Sequence, residues 1–231
     1  DGFLSNGYLL LVGETEIIPA HSKQMNPPWY ASWAPSLHID MTDMYYADTG
    51  GNSINPELIV GRMVGDSATD LLTPTQTSIS VHQGELYYGF DRSHGKILSG
   101  WDKCRSGDCD DIDYSDEAQD VRSKLQDRGT QASIFYTTNY VSPTVAANAF
   151  LSQASGQDII HLAGHGNAWS CDDLWTGDVT NQLDPFGGAN PFVYGSSCLT
   201  GRYSEGESLA EALLMRGAGV YLGSTEVSYC C

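Results

Sequence analysis

The chain has 231 residues, 41% of them hydrophobic, and 29 acids against 11 bases leave a formal charge of −18. That is enough apolar material for one large domain or two small ones, and it argues against global disorder. A field this negative repels phosphate backbones and anionic bilayers, so nucleic acid is excluded as a natural partner; it suits a well-solvated surface, a basic ligand or bound cations.

No apolar run is long enough to span a bilayer. The chain opens on Asp1 rather than Met and enters a strand almost at once, so it is expected to be a portion of a longer precursor. "YLLLVG" (residues 8–13) is apolar at every position and predicts a strand buried on both faces. "ETEIIPAH" then leaves its C-terminal end as a loop, and "NPPWYASWAPS", rich in Pro and aromatics, reads as irregular loop. "TDMYYADTGGNSINPELIVGRMVG" combines a Gly/Asn turn with a short strand around residues 58–60. Ser67 predicts a helix cap, with Asp70 in the first turn and Pro74 interrupting the helix.

A second run of alternating elements begins at "KILSGW" (residues 96–101), which predicts a strand followed by an acidic loop to Asp113. Ser115 is expected to cap a helix with acids in its first turn and Gly129 as its stop. "ASIFYTT" reads as a strand. Ser142 at the cap, Pro143 at the first helical position and Gly156 at the end predict the next helix. "DIIHLAG" and "PFVYGSS" are strands, and "GESLAEALLMRG" is a helix with Leu209, Leu213 and Leu214 on one face. "AGVYLGS" is the last strand. Strands alternating with capped helices imply parallel βαβ units, hence a three-layer α/β fold with a mainly parallel sheet.

The six cysteines divide unevenly. Cys104 and Cys109 close the short acidic loop "CRSGDC", which fits a small disulfide better than half a metal site. An oxidising, extracytoplasmic location is therefore expected. Cys171 with Cys230 or Cys231 is a candidate second bridge.

Two strand ends carry chemistry. "DIIHLAGHG" delivers His165 between two glycines, and 33 residues later "PFVYGSSC" delivers Cys198. In parallel sheets, ligands gather beyond the carboxyl ends of strands, so both residues belong on one edge. A cysteine thiolate attacks carbonyl carbon and a histidine manages the protons. The N–H groups of Gly166 and Cys198 could form an oxyanion hole. The plainer alternative is that both are packing residues.

"YLLLVGETEIIPA", "TDMYYADTGGNSINPELIVGR", "DIIHLAGHG" and "PFVYGSSC…EGESLAEALLMRGAGVYLGST" resemble, in order and over most of the chain, the gingipain family of cysteine peptidases. The resemblance implies a caspase/gingipain-like fold, with residues 1–80 the remainder of an N-terminal α/β subdomain and 81–231 the catalytic one. It implies that His165 is the general acid/base, that Cys198 is the nucleophile, and that peptide bonds are hydrolysed through an acyl-enzyme. It further implies an acid orienting the histidine, carried here to Asp102, and a pocket acid for a basic residue before the scissile bond, carried to Asp116. No cofactor is required for that chemistry. Structural calcium is expected from the resemblance and from the acids between Asp102 and Asp120, with the Asp48–Asn52 turn a weaker candidate. The expected setting is extracellular or at the cell surface, with polypeptide substrates and other segments of a precursor as partners. The alternative is a catalytically silent structural or adhesive module of a surface assembly.

Overall fold

The computed structural model describes residues 7–24, 39–50, 57–82, 94–100, 114–204 and 206–225. In chain order the elements are β1 (Gly7–Val12), β2 (His21–Gln24), β3 (Ile39–Thr42), α1 (Met44–Ala47), β4 (Leu58–Met63), α2 (Leu72–His82) and β5 (His94–Ser99). They continue with α3 (Ser115–Gln126), β6 (Gln131–Tyr136), α4 (Pro143–Ala154), β7 (Ile159–Ala163), β8 (Gly166–Asn167), β9 (Ser170–Cys171), β10 (Leu174–Trp175) and α5 (Thr176–Thr180). The last are β11 (Phe192–Ser196), α6 (Leu209–Met215) and β12 (Val220–Gly223).

The central sheet is parallel and runs β12-β11-β7-β5-β6. Its inner strands are mostly buried on both faces, as expected of helix-covered parallel strands. Leu98, Ile160, Leu162 and Val193 are buried against Phe150 of α4 and Leu209 and Leu213 of α6. The α/β, caspase-like architecture expected from the sequence is the observed one.

β1 departs from expectation. It pairs in parallel with β4 in a separate two-stranded sheet. Its burial alternates along the strand, with Tyr8, Leu10 and Val12 exposed, so only one face is covered by described residues. β2 and β3, an antiparallel pair, were not foreseen.

Helix starts divide between foreseen and corrected. Ser142 accepts from the Val145 N–H, Pro143 opens α4, and Gly156 beyond its end has φ +73°. Ser67 instead holds a single turn, its Oγ 2.6 Å from Asp70 Oδ2, and α2 begins five residues later. Pro74 therefore falls in the first turn of α2, where its missing N–H has no intrahelical partner to lose, and it interrupts nothing. Ser115 is the first residue of α3 rather than its cap; Tyr114 takes the cap position with no side-chain bond.

α6 is fixed by a reciprocal cap. Ser208 Oγ accepts from the Glu211 N–H at 3.3 Å, and Glu211 Oε2 accepts from the Ser208 N–H at 2.6 Å. Glu211 is only 2% exposed and meets Glu14, which follows β1 and accepts from the Gly65 N–H. With Asp66 these carboxylates bring one oxygen each within 4.8 Å of one another. Burial pushes both Glu14 and Glu211 above the usual carboxylate range, and the two share a hydrogen bond. A carboxyl held protonated in the folded chain stabilises it fully below the unfolded value. That stability is lost as pH rises through the raised one. Between pH 5 and pH 9 the protein is expected to lose of order 2 kcal/mol at this contact, since a tenfold change in proton affinity corresponds to about 1.4 kcal/mol. Glu211→Gln keeps the acceptor for Ser208 and cannot ionise, so its melting temperature should fall less over that range. Equal falls in both proteins, measured calorimetrically, would remove the shared proton.

Candidate active site

Strand register decides whether the histidine and the cysteine meet. β7 and β11 are adjacent and parallel, with Ala163 opposite Ser196. His165 and Cys198 each follow two residues later, so both emerge at the same end of neighbouring strands about 5 Å apart. Closer contact is found at Gly166. A Cβ there would lie 2.5 Å from the Cys198 carbonyl oxygen and 2.8 Å from both Ser197 Cβ and Thr200 Cγ2. The two loops are in contact because residue 166 has no side chain.

His165 is exposed, and the Tyr114 ring meets it edge-on at 5.6 Å. Cys198 is half-buried and in no disulfide, and Leu199 beside it has φ +60°, a left-handed conformation unfavourable for a branched residue. Gly166 also pairs with Cys171 in the small antiparallel sheet β10-β9-β8, which the sequence did not reveal.

Cys171 was a candidate for a bridge to Cys230 or Cys231. It is a free, fully buried thiol, with Sγ 3.0 Å from Ser197 Oγ. Turned inward against Ser197, it does not make that bridge. Burial pushes its thiol up to about 12, which makes it a poor nucleophile. Cys104, Cys109, Cys230 and Cys231 lie outside the described residues.

The acids expected at the site separate. Asp102 and the carboxylates through Asp113 lie outside the described residues, so the orienting acid and the acid-rich calcium segment stay at the level of expectation. In the other calcium candidate, Glu57 accepts from the Thr49 and Gly50 N–H groups at 2.9 and 3.2 Å, and Asn52 is not described. Asp116 is exposed on the first turn of α3. Its neighbour Glu117 reaches beneath the sheet edge instead. Glu117 Oε1 lies 3.2 Å from Nε2 of the buried His161, off the line of a well-aligned hydrogen bond. His161, with Ser196 also bonding, holds Glu117 below the usual carboxylate range. Ser196 is two residues before Cys198, so Glu117 is the described acid of α3 that reaches the strand end leading to Cys198.

Two further residues were missed. Asp172, after β9, donates its N–H to the His165 carbonyl at 2.7 Å, and its Oδ2 accepts from Thr137 Oγ1 at 3.1 Å. Side chains at Gly100 or Gly164 would collide with it, so it covers the ends of β5 and β7. Arg62, from the "VGR" stretch, forks onto Asp43 at 2.6 and 2.8 Å, donates to the Gly13 carbonyl at 2.7 Å and lies 5.1 Å from the Tyr203 ring. It ties β4 to the segment that follows Cys198.

A mainly parallel sheet delivering a histidine and a cysteine to one edge from adjacent strands is the arrangement of caspase-like α/β cysteine peptidases. Residues 5–230 match the model of peptidase family C25, and the chain belongs to that family of cysteine peptidases. Three solved structures are similar. The crystal structure of the Arg-specific cysteine proteinase gingipain R (RgpB) matches with TM-score 0.63 at 22% identity, over 96% of this chain and 49% of that one. The complex of Porphyromonas gingivalis RgpB pro- and mature domains matches with TM-score 0.63 at 20% identity, over 96% and 50%. A structure described as a protease matches with TM-score 0.67 at 18% identity, over 96% and 46%. The chain thus spans about half the length of the solved structures it matches. No curated protein matches it.

Proposed function

We propose that the protein is a cysteine endopeptidase with His165 as general acid/base and Cys198 as nucleophile. The observation that carries this is the contact of the two strand ends at Gly166. Cys198 passes its thiol proton to His165 and its Sγ attacks the scissile carbonyl carbon, while charge developing on oxygen is met by the N–H groups of Gly166 and Cys198. His165 gives a proton to the departing amine, leaving a thioester. Water, deprotonated by His165, then hydrolyses it and restores the thiol. Asp102 orients the histidine in this reading. Cleavage follows a basic residue; the family resemblance favours Asp116 as its partner, and the observed direction of the side chains favours Glu117. Residues 1–80 complete an N-terminal subdomain, and the setting is extracellular or at the cell surface. No helix among the described residues is long and apolar enough to cross a membrane.

The second reading is a catalytically silent structural or adhesive module of a larger surface assembly. One experiment separates them. Peptidyl electrophiles ending in Arg, Lys or Ala are incubated with the protein, and adducts are mapped by mass spectrometry. Labelling of Cys198, faster with Arg or Lys, is expected. Glu117→Gln should narrow that preference and Asp116→Asn should leave it; the reverse outcome returns the role to Asp116. No adduct at Cys198 with any reagent leaves the silent module.

A further inference from the structure

This inference rests on the reading of Glu117 as the acid that meets a basic residue before the scissile bond. One face of the sheet, with Leu98, Ile160, Leu162 and Val193, belongs to the core under α4. The other face carries Ile97, His161 and Tyr194 side by side, and then, one step nearer the catalytic edge, Ser99, Ala163 and Ser196. α3 lies against this second face. Its Tyr114 meets His165, and Glu117, about one turn further along the helix, meets His161, four residues before His165.

His161 stands where a parallel strand ordinarily places an apolar side chain. It is 2% exposed, and its ring stacks on Tyr194 with centroids 5.4 Å apart and planes 23° from parallel. Buried polar groups are ordinarily hydrogen-bonded. Among the described residues neither ring nitrogen has a well-aligned hydrogen bond, and Nε2 has Glu117 Oε1 at 3.2 Å. The groups facing the imidazole are Ile97 from β5, the Tyr194 ring from β11 and Glu117 from α3, so Glu117 is the one charge among them. Glu117 takes His161 and Ser196 as its hydrogen-bonding partners. Buried Cys171 also feels the Glu117 charge, and with its thiol pushed up to about 12 it stays neutral at ordinary pH. The Glu117 side chain is 34% exposed, so one carboxylate touches both the closed imidazole and the solvent.

Histidine is the side chain that changes charge between about pH 5 and 8. Protonated, His161 makes its pair with Glu117 neutral overall, and an arriving basic side chain meets an imidazolium behind the carboxylate. Neutral, it leaves Glu117 its full negative charge. Glu117, held below the usual carboxylate range chiefly by His161, is ionised throughout that interval and adds no rise of its own. We propose that His161 is a specificity-determining residue acting through Glu117: its proton and the substrate's basic side chain compete for one carboxylate, so selection of arginine or lysine before the scissile bond strengthens as the imidazole loses its proton. A charge within about 4–6 Å moves a titration by about one unit or more, and by reciprocity the same factor of about ten enters the binding of the cation.

The test measures kcat/KM on two fluorogenic peptides that differ only in Arg or Ala before the scissile bond, between about pH 5 and 8. The ratio of the two cancels the titration of His165 and Cys198, which both substrates share. In the unmutated protein the Arg-to-Ala ratio is expected to rise about tenfold with pH. His161→Gln keeps an N–H for Glu117 and cannot ionise, so its ratio should be flat. Should that variant fail to fold, histidine NMR decides on the unmutated protein and Glu117→Gln: of the six histidines, one should titrate about one pH unit lower without the carboxylate. A preference for Arg that does not vary with pH, a rise that persists in His161→Gln, or six unmoved histidine titrations overturns the role of His161 and leaves Glu117 as the pocket acid. No Arg preference at any pH while iodoacetamide still labels Cys198, or a preference undiminished in Glu117→Gln, removes the Glu117 reading and this inference with it. Absence of both cleavage and labelling removes the peptidase reading as well.

Discussion

Cys198→Ala is expected to abolish peptide hydrolysis, with kcat falling by about 10⁴-fold or more, the scale on which nucleophile deletions act in covalent hydrolases. His165→Ala should fall about as far, because without a proton acceptor and donor the thiol neither attacks nor releases amine efficiently. The double variant should be little worse than either single one, since the two groups act as a unit. Progress curves on one fluorogenic peptide give all three rates, and circular dichroism controls for folding. Cys198 is half-buried at a loop, so removing its sulfur leaves little cavity and should leave the melting temperature near that of the unmutated protein. Cys171 is the internal control. It is the other cysteine outside a disulfide among the described residues and is fully buried. Cys171→Ser should lower stability without removing activity. If Cys198→Ala retains hydrolysis within tenfold, the nucleophile is misassigned.

What the sequence revealed, and what it concealed, follows from the range of the interactions involved. α4 was legible because its start and stop are local: a cap that bonds three residues on, a proline at the first position and a glycine with positive φ beyond the end. β7 and β11 were legible because strands covered on both faces are short continuous apolar runs, and their C-terminal ends fixed where His165 and Cys198 emerge. The same rule failed for β1, whose run is equally apolar. Its covered face depends on what packs against β1 and β4, which periodicity does not report. The strands β8, β9 and β10 are two residues long, below the length at which alternation can be read.

Glu117 was within reach of a closer reading. Tyr114, Ala118, Val121 and Leu125 are spaced by four, three and four residues, one stripe of α3. At about 100° per residue, Glu117 lies about 40° from Val121, on the flank of that stripe, whereas Asp116 lies about 160° from Ala118, on the outer face. The helix stripe therefore selects Glu117, while the family resemblance selects Asp116. Likewise "SLAE" at residues 208–211 spells a capping box, which the observed bonds bear out. The encounter of Glu211 with Glu14 lies across nearly the whole chain and has no local signature.

Gly166→Ala is the sharpest test of the contact on which the functional reading depends. The added methyl would lie 2.5 Å from the Cys198 carbonyl oxygen, 2.8 Å from Ser197 Cβ and 2.8 Å from Thr200 Cγ2. Ordinary carbon contacts are near 3.5–4 Å. Something must therefore shift, and none of the three is the far end of a flexible side chain. Ser197 is buried and Thr200 fully so, and Gly166 is itself held to Cys171 across the β8–β9 ladder. The loop from Ser197 to Thr200, with Leu199 already in an unfavourable conformation, has the most freedom to yield, and it carries the proposed nucleophile Cys198. Displacement of reacting groups by about 1 Å can lower catalysis about 10²-fold. The expected result is a loss of that order in kcat and in the alkylation rate of Cys198, with overpacking lowering stability by about 1–3 kcal/mol. Gly177→Ala supplies the comparison. That glycine lies within α5, where an added Cβ meets nothing within 4 Å, so alanine should be neutral or stabilising by a few tenths of a kcal/mol. If Gly166→Ala hydrolyses peptide and labels at Cys198 as fast as Gly177→Ala, the histidine and cysteine loops do not meet as described. The assignment of the pair would then lose its geometric support.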